Sequence, residues 1–310
     1  MTLAWWRLEL PAQPELEESI LWKLGELGIS RVALSHRPES PQERQLVAWL
    51  PEADWPEAER QQLHQALEPL AATFGMALPP LQWQRQLDED WSLSWKQHWQ
   101  ADPVGQRLLI LPAWLELPPE HAHRLVIRMD PGSAFGTGSH PTTRLCLEAL
   151  EGLAMERGSA SGGEAALGGM RVADLGCGSG ILGIAALLQG ASTVAAVDTD
   201  SLAVRATADN AAVSGFQDRL QVRLGSVEEL AGMLEGRRAD LLLCNILAPV
   251  IEALAPAFHT VLAPGGVGLL SGLLVQQAPR LQQVLRPLGW EAELTAQQSQ
   301  WGLMVLHKAR

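Results

Sequence analysis

The chain has 310 residues, 47% of them hydrophobic, and a formal net charge of −12 at neutral pH, which is enough apolar material for a full core and enough length for two domains. No apolar run approaches the roughly 20 residues that a bilayer span requires, and the amino end lacks the basic region and cleavage site of a secretion signal, so a cytoplasmic protein with no membrane association is expected. Cys146, Cys177 and Cys244 are odd in number and form no C-x-x-C pair, which argues against a disulfide framework and against a zinc site; no metal is expected.

From the amino end the pattern reads as strand WWRLEL, helix from about Pro14 to Leu27, strand RVALSH, strand QLVAWL, helix from about Glu57 to Phe74, and strand LQWQRQL. In the first helix Leu16, Ile20, Leu24 and Leu27 recur at helical spacing, Glu15, Glu17 and Glu18 favour its amino end, and Gly28 follows its last turn. The order β-α-β-β-α-β over residues 1–90 predicts a small ferredoxin-like α+β domain. RNA-binding modules share that layout, but the aromatic and basic surface strands on which bases stack are missing. Residues 1–90 hold seven Lys/Arg against fifteen Asp/Glu, a net charge of −8. Such a surface repels nucleic-acid phosphates and attracts a basic protein, or it serves solubility alone; no direct nucleic-acid binding is expected.

Next comes DEDWSLSWKQHWQADP, in which Trp91, Trp95 and Trp99 stand four residues apart and share one helix face. They form either an ordinary packed stripe or a tryptophan face between domains, and His98 beside them reads as structural. Residues 91–114 are assigned to an interdomain linker. Residues 158–169, GSASGGEAALGG, are small and glycine-rich and read as a flexible surface insertion. Beyond them strand and helix alternate: RVADLG, a helix at 181–188, STVAAVD, a helix at 201–213, LQVRLG, a helix at 227–234, ADLLLCN, a helix at 250–258, and VGLLSG. WEAELTAQQ and WGLMVLHKA then form a closing antiparallel pair. The expected architecture over residues 115–310 is a doubly wound α/β domain with an added hairpin.

In a doubly wound sheet the ligand sits at the carboxyl ends of the strands, where strand order reverses. The first strand of this domain ends at Asp174. Gly176, Gly178 and Gly180 follow, letting the chain turn tightly and expose bare N–H groups at a helix amino end. Asp198 ends the second strand, where a carboxylate accepts the two hydroxyls of a ribose, so an adenosine ligand is expected. Dinucleotide enzymes use G-x-G-x-x-G to seat a pyrophosphate, but the position three after Gly178 is Ile181, which disfavours a nicotinamide-dependent oxidoreductase. The arrangement D-x-G-x-G-x-G resembles the first motif of class I S-adenosylmethionine methyltransferases.

Two further stretches narrow that resemblance. Met129 to Thr143 reads MDPGSAFGTGSHPTT, a glycine-rich loop running into a helix that Pro141 is suited to start, and Asn245 follows the fourth strand in LLLCNILAP. Both resemble the ribosomal protein L11 methyltransferase family, and the tryptophan segment followed by GQRLLILPAW is similar to that family as well. The resemblance implies a Rossmann-like class I methyltransferase domain preceded by a ferredoxin-like substrate-recognition domain. The implied cofactor is S-adenosylmethionine, the implied substrate is the large-subunit ribosomal protein L11, and a monomer is expected. By similarity Thr143 lies at the methionine end of the cofactor, Gly176 and Gly178 support it along the loop, Asp198 holds the ribose, Phe135 covers it, and Asn245 lies where the methyl group meets the incoming amine.

The chemistry of an amine acceptor bears on Asn245. A free lysine with pKa about 10.4 is neutral about one time in a thousand near pH 7.4, which costs about 4 kcal/mol, whereas an α-amine costs well under about 1 kcal/mol. Desolvation and a neighbouring positive charge both favour the neutral amine, so a dedicated base is not required. Asn245 then accepts the amine N–H and aims its lone pair, or is only a turn-forming residue at a strand end. Methyltransferases acting on planar amino groups place N/D-P-P-Y/F after the same strand; Asn245-Ile246-Leu247-Ala248 lacks the prolines and the aromatic platform, which favours an aliphatic amine. His140 is either a proton acceptor or a loop residue orienting its neighbours. A nucleic-acid or small-molecule methyltransferase and a non-catalytic cofactor-binding partner of translation stay open as alternatives.

Overall fold

The computed structural model describes residues 4–29, 31–37, 40–87, 99–130, 136–160 and 167–309. The chain divides into two compact units, Met1–Gln100 with Gly132–Ser139, and Ala101–Pro131 with His140–Arg310.

The first unit is built from β1 (Ala4–Pro11), α1 (Pro14–Glu26), β2 (Val32–Arg37), β3 (Ser40–Pro51), α2 (Glu57–Thr73) and β4 (Gln82–Leu87). The strand order is β2-β3-β1-β4, with every neighbouring pair antiparallel. This is the ferredoxin-like layout expected from the order of elements. Alternate residues of the strands, among them Leu8, Leu10, Leu46 and Leu50, meet Leu16, Ile20 and Leu24 of α1 and Leu63 and Leu67 of α2 in one core. Glu17, expected only to favour the amino end of α1, is buried and paired with Arg44 at 3.3 Å. Trp91, Trp95 and His98 lie outside the described residues, so the shared helix face falls there too; Trp99 packs on the first-unit core and donates through Nε1 to the Val32 carbonyl at 3.3 Å.

The second unit opens with β5 (Asp102–Val104), β6 (Leu108–Pro112) and β7 (Leu125–Met129). They form a small sheet in which β5 runs antiparallel and β7 parallel to β6. The sequence reading assigns no strand here. All five residues of β6 are buried, so it shows none of the period-two alternation by which a half-buried strand is recognised.

After α3 (Pro141–Ala160) come β8 (Arg171–Leu175), α4 (Ile181–Leu188), β9 (Thr193–Asp198), α5 (Ser201–Val213), β10 (Leu220–Leu224), α6 (Val227–Met233) and β11 (Ala239–Asn245). The unit closes with α7 (Ala248–Leu254), α8 (Phe258–Val261), β12 (Leu262–Leu274), α9 (Ala278–Leu285), β13 (Trp290–Gln298) and β14 (Trp301–Lys308). The seven-stranded sheet has the order β10-β9-β8-β11-β12-β14-β13. The first five strands are parallel, and β14 is antiparallel to both its neighbours. Strand order therefore reverses between β8 and β11, which places the ligand crevice of a doubly wound sheet at their carboxyl ends.

Two expectations need correction. The helix expected at 250–258 is broken: α7 ends at Leu254, a 3-10 turn spans Ala255–Ala257, and a four-residue α8 follows. Pro256 in that turn has no N–H to continue the helical ladder. The insertion expected to be unpacked from 158 to 169 is ordered at both described ends, since α3 runs through Ala160 and Leu167 is fully buried. Among the described residues no helix is long and apolar enough to cross a membrane.

Candidate active site

The crevice starts where β8 runs out. Gly176, Gly178 and Gly180 have φ of 76°, 56° and 80°, in the left-handed region that side chains rarely enter. Gly180 is the residue from which α4 starts, so N–H groups at a helix amino end face the loop. Two residues of α5 hold that loop: Thr207 donates to the Gly178 carbonyl and Asn210 Nδ2 to the Ser179 carbonyl, each at 2.9 Å. A Cβ on Gly180 would lie 2.9 Å from Thr207 Cγ2, so the close approach of loop and α5 depends on the glycine.

Asp198 ends β9 with its carboxylate turned back to the loop. It accepts from the Gly178 N–H at 2.9 Å and from the Asp200 N–H at 3.0 Å. Burial raises its pKa, and the backbone N–H bonds oppose that rise. A carboxylate has about four acceptor sites, so capacity remains beyond its backbone bonds, which suits a ribose hydroxyl.

Behind the loop lies Asp174, 1% exposed, accepting from the Gly183 N–H at 3.1 Å. Its other oxygen is buried with no hydrogen-bond partner among the described residues. Burial pushes its pKa up to about 7, with the Asp198 charge adding to the rise. Cys146, Cys177 and Cys244 are buried free thiols. Burial raises all three, Cys146 to about 12, so none is poised as a nucleophile.

The other wall is set by β11 and α3. Asn245 is the last residue of β11 and donates through Nδ2 to Thr143 Oγ1 at 3.3 Å, while its Oδ1 is buried with no partner among the described residues. Thr143 is fully buried in the first turn of α3. That turn is held by His140, whose Nδ1 accepts the Thr142 N–H at 3.2 Å and pairs with Thr142 Oγ1 at 2.7 Å. The backbone donor requires a lone pair on Nδ1, which puts the proton of a neutral ring on Nε2. The ring stands edge-on to Trp301 with centroids 4.8 Å apart. His140 thus orients its neighbours, and its Nδ1 is engaged in doing so.

The structure brings Gly176, Gly178 and Asp198 to one side of the crevice and bonds Thr143 to Asn245 on the other. The two sides touch: a Cβ on Gly176 would lie 2.3 Å from Ile246 Cγ2. Phe135 lies outside the described residues. Sequence reasoning did not single out Thr207, Asn210 or Ile246, which carry no motif of their own.

The chain as a whole has relatives. A family model described as ribosomal protein L11 methyltransferase matches residues 4–309. A protein of that name from Parasynechococcus marenigrum (strain WH8102) is 64% identical over 296 residues, 95% of this chain and 98% of its own. Another from Synechococcus sp. (strain RCC307) is 60% identical over 306 residues, 99% of this chain and 98% of its own. Among solved structures, a ribosomal protein L11 methylase from Lactobacillus delbrueckii subsp. bulgaricus is 28% identical, with a TM-score of 0.57 over 68% of this chain and 100% of its own.

Proposed function

The chain belongs to the ribosomal protein L11 methyltransferase family, and we propose that it transfers methyl groups from S-adenosylmethionine to amines of ribosomal protein L11, on lysine side chains, on the α-amine, or on both. The cofactor supplies an activated methyl carbon on a sulfonium. The residues of the crevice fit such a group: three left-handed glycines bare their backbone where an amino-acid moiety would lie, and Asp198 offers free lone pairs where a ribose would lie.

The observation that carries the reading is the Asn245 side chain. Nδ2 is paired with Thr143 Oγ1, and a buried acceptor, Oδ1, is left without a partner among the described residues. A buried acceptor without a partner costs about 1 to 3 kcal/mol, which an incoming N–H donor recovers. That donor is an amine whose hydrogen is held by Oδ1, leaving its lone pair free to be aimed. Proton release needs no dedicated base, because a desolvated ammonium beside a cationic cofactor is disfavoured. Asn245-Ile246-Leu247-Ala248 offers no aromatic platform for a planar base, which supports an aliphatic amine.

The first unit serves in this reading as the recognition domain, its acidic surface drawing in a basic protein, and the enzyme acts as a monomer. The reading is tested by incubating the protein with methyl-labelled cofactor and whole ribosomal extract and identifying the labelled species by mass. Label on L11 amines is expected; label in RNA or in small molecules, or none at all, overturns it.

A further inference from the structure

Strand β12 lies between β11 and β14, and its two edges are not in step. Against β14 the register shifts by one residue between Leu270 and Leu273, so that Ser271 and Gly272 together oppose Leu303. This is a β-bulge, which bends a strand and re-aims what lies beside it. On the other edge Ser271 is the register partner of Asn245. The bulge therefore sits directly beside the residue to which the amine is assigned.

Gly272 has φ of +83°, and a Cβ built on it would lie 2.3 Å from the Ile246 carbonyl oxygen, 2.6 Å from its carbonyl carbon and 2.9 Å from its nitrogen. The backbone that follows Asn245 thus fills the space of the missing side chain. On the opposite flank the Ile246 side chain fills the space left by Gly176. Ile246 is gripped from both sides, by its backbone in the bulge and by its side chain in the cofactor loop, and Asn245 is the next residue along the chain.

Resting on the reading of Asn245 given above, we propose that Gly272 is a positioning residue for methyl transfer: the bulge accepts the Ile246 backbone and thereby sets Asn245 Oδ1 against the methyl group, while Gly176 ties the same residue to the loop that holds the cofactor. Because the three atoms nearest a Gly272 Cβ are all backbone of Ile246 and those nearest a Gly176 Cβ are its side chain, the two glycines respond differently to trimming that side chain.

The experiment compares the parent, Asn245→Ala, Gly272→Ala, Gly176→Ala and Ile246→Ala, with and without Ile246→Ala in each glycine variant. Single-turnover rates on L11 at saturating S-adenosylmethionine are measured alongside cofactor affinity by calorimetry. Gly272→Ala is expected to be about 100-fold slower, the effect of roughly 1 Å of misplacement, with the cofactor Kd and the KM for L11 within about threefold of the parent. Ile246→Ala is expected to restore part of the rate to Gly176→Ala and none to Gly272→Ala. A Gly272→Ala rate within about threefold of the parent overturns the proposal, as does its rescue by Ile246→Ala. If Gly272→Ala cannot be obtained folded, one glycine inserted after Leu303 in β14 decides, because it gives Ser271 and Gly272 a partner each and removes the bulge: about tenfold slower transfer with cofactor affinity kept supports the proposal, and a parental rate overturns it. Should Asn245→Ala itself keep the parental rate, the amine site falls and takes the proposal with it; if Asn245→Ala is slow and Gly272→Ala is not, the proposal alone falls.

Discussion

Asn245 at the end of β11 and Thr143 in the first turn of α3 are 102 positions apart and share one hydrogen bond, Nδ2 to Oγ1 at 3.3 Å. That bond occupies Nδ2 and leaves Oδ1 as a buried acceptor with no partner among the described residues. Asn245→Ala is accordingly expected to lose about 2 to 4 kcal/mol of transition-state stabilisation, the scale of a preorganised polar group, and less than about 1 kcal/mol of cofactor affinity. Raising the pH should not restore the rate, because orientation is missing and not deprotonation. Single-turnover rates from pH 7 to 10 beside a cofactor titration check this. Recovery to parental speed at high pH refutes the role.

Asp198→Ala is expected to weaken S-adenosylmethionine binding by about 1.5 to 3 kcal/mol, the range for hydrogen bonds to a charged group. The parent should also show a pH dependence. Burial holds the Asp198 pKa above the usual carboxylate range, and the protonated acid loses an acceptor. Affinity should therefore fall as pH drops through that raised pKa, and Asp198→Ala should be flat over the same window. Calorimetry at several pH values reads both effects, and equal affinity in parent and variant removes the ribose assignment.

The parts of this fold that were legible in the sequence are those with a period or a punctuated loop. The two helices of the first unit carry apolar residues at helical spacing, and β8, β9 and β11 are apolar runs closed by Asp174, Asp198 and Asn245 or by glycine. Gly176, Gly178 and Gly180 were legible because three glycines at spacing two after an aspartate have few other uses, and all three adopt left-handed φ. What was not legible is where two distant stretches meet. Strand β6 is buried on both faces and shows no alternation. The contact of Gly272 with Ile246, the Thr143 bond to Asn245 and the hold of Thr207 and Asn210 on the loop arise from strand order and register, which no local pattern encodes.

Asp174 offers a test by stability. Its carboxyl is buried, one oxygen has no partner among the described residues, and its pKa is pushed up to about 7. Because the folded state holds this proton more tightly than the unfolded chain does, the folded state is favoured at low pH. That contribution is fully present below about pH 3.9 and is lost as pH rises through about 7. The cofactor-free parent should melt at progressively lower temperature from pH 5 to pH 8, and Asp174→Asn should show a weaker slope. An identical slope in the two proteins assigns the pH dependence to other groups.

A chain shortened to begin near Ala101 keeps β5 to β14 and with them the glycine loop, Asp198, Thr143 and Asn245. It is expected to bind S-adenosylmethionine and to fail on L11. Full methylation of L11 by the shortened chain would show that the first unit is not the recognition element.

The Thr143 hydroxyl should act through Asn245, and a double-mutant cycle measures that coupling. Thr143 is fully buried, and valine copies its shape while removing the hydroxyl. Thr143→Val leaves Asn245 Nδ2 without its partner, so the amide is free to turn over and present a donor to the amine, which repels an amine N–H where Oδ1 would have accepted it. The expected loss is about 1 to 2 kcal/mol in single-turnover rate at saturating cofactor, the net value of one hydrogen bond with the penalty of an unpaired group. Thr143→Ser keeps the hydroxyl and should lie near the parent. In an Asn245→Ala background the same Thr143→Val change should have almost no effect, because there is no amide left to orient. Additive losses in the double variant would mean that the two residues act separately and that the 3.3 Å bond between them does not set the geometry of transfer.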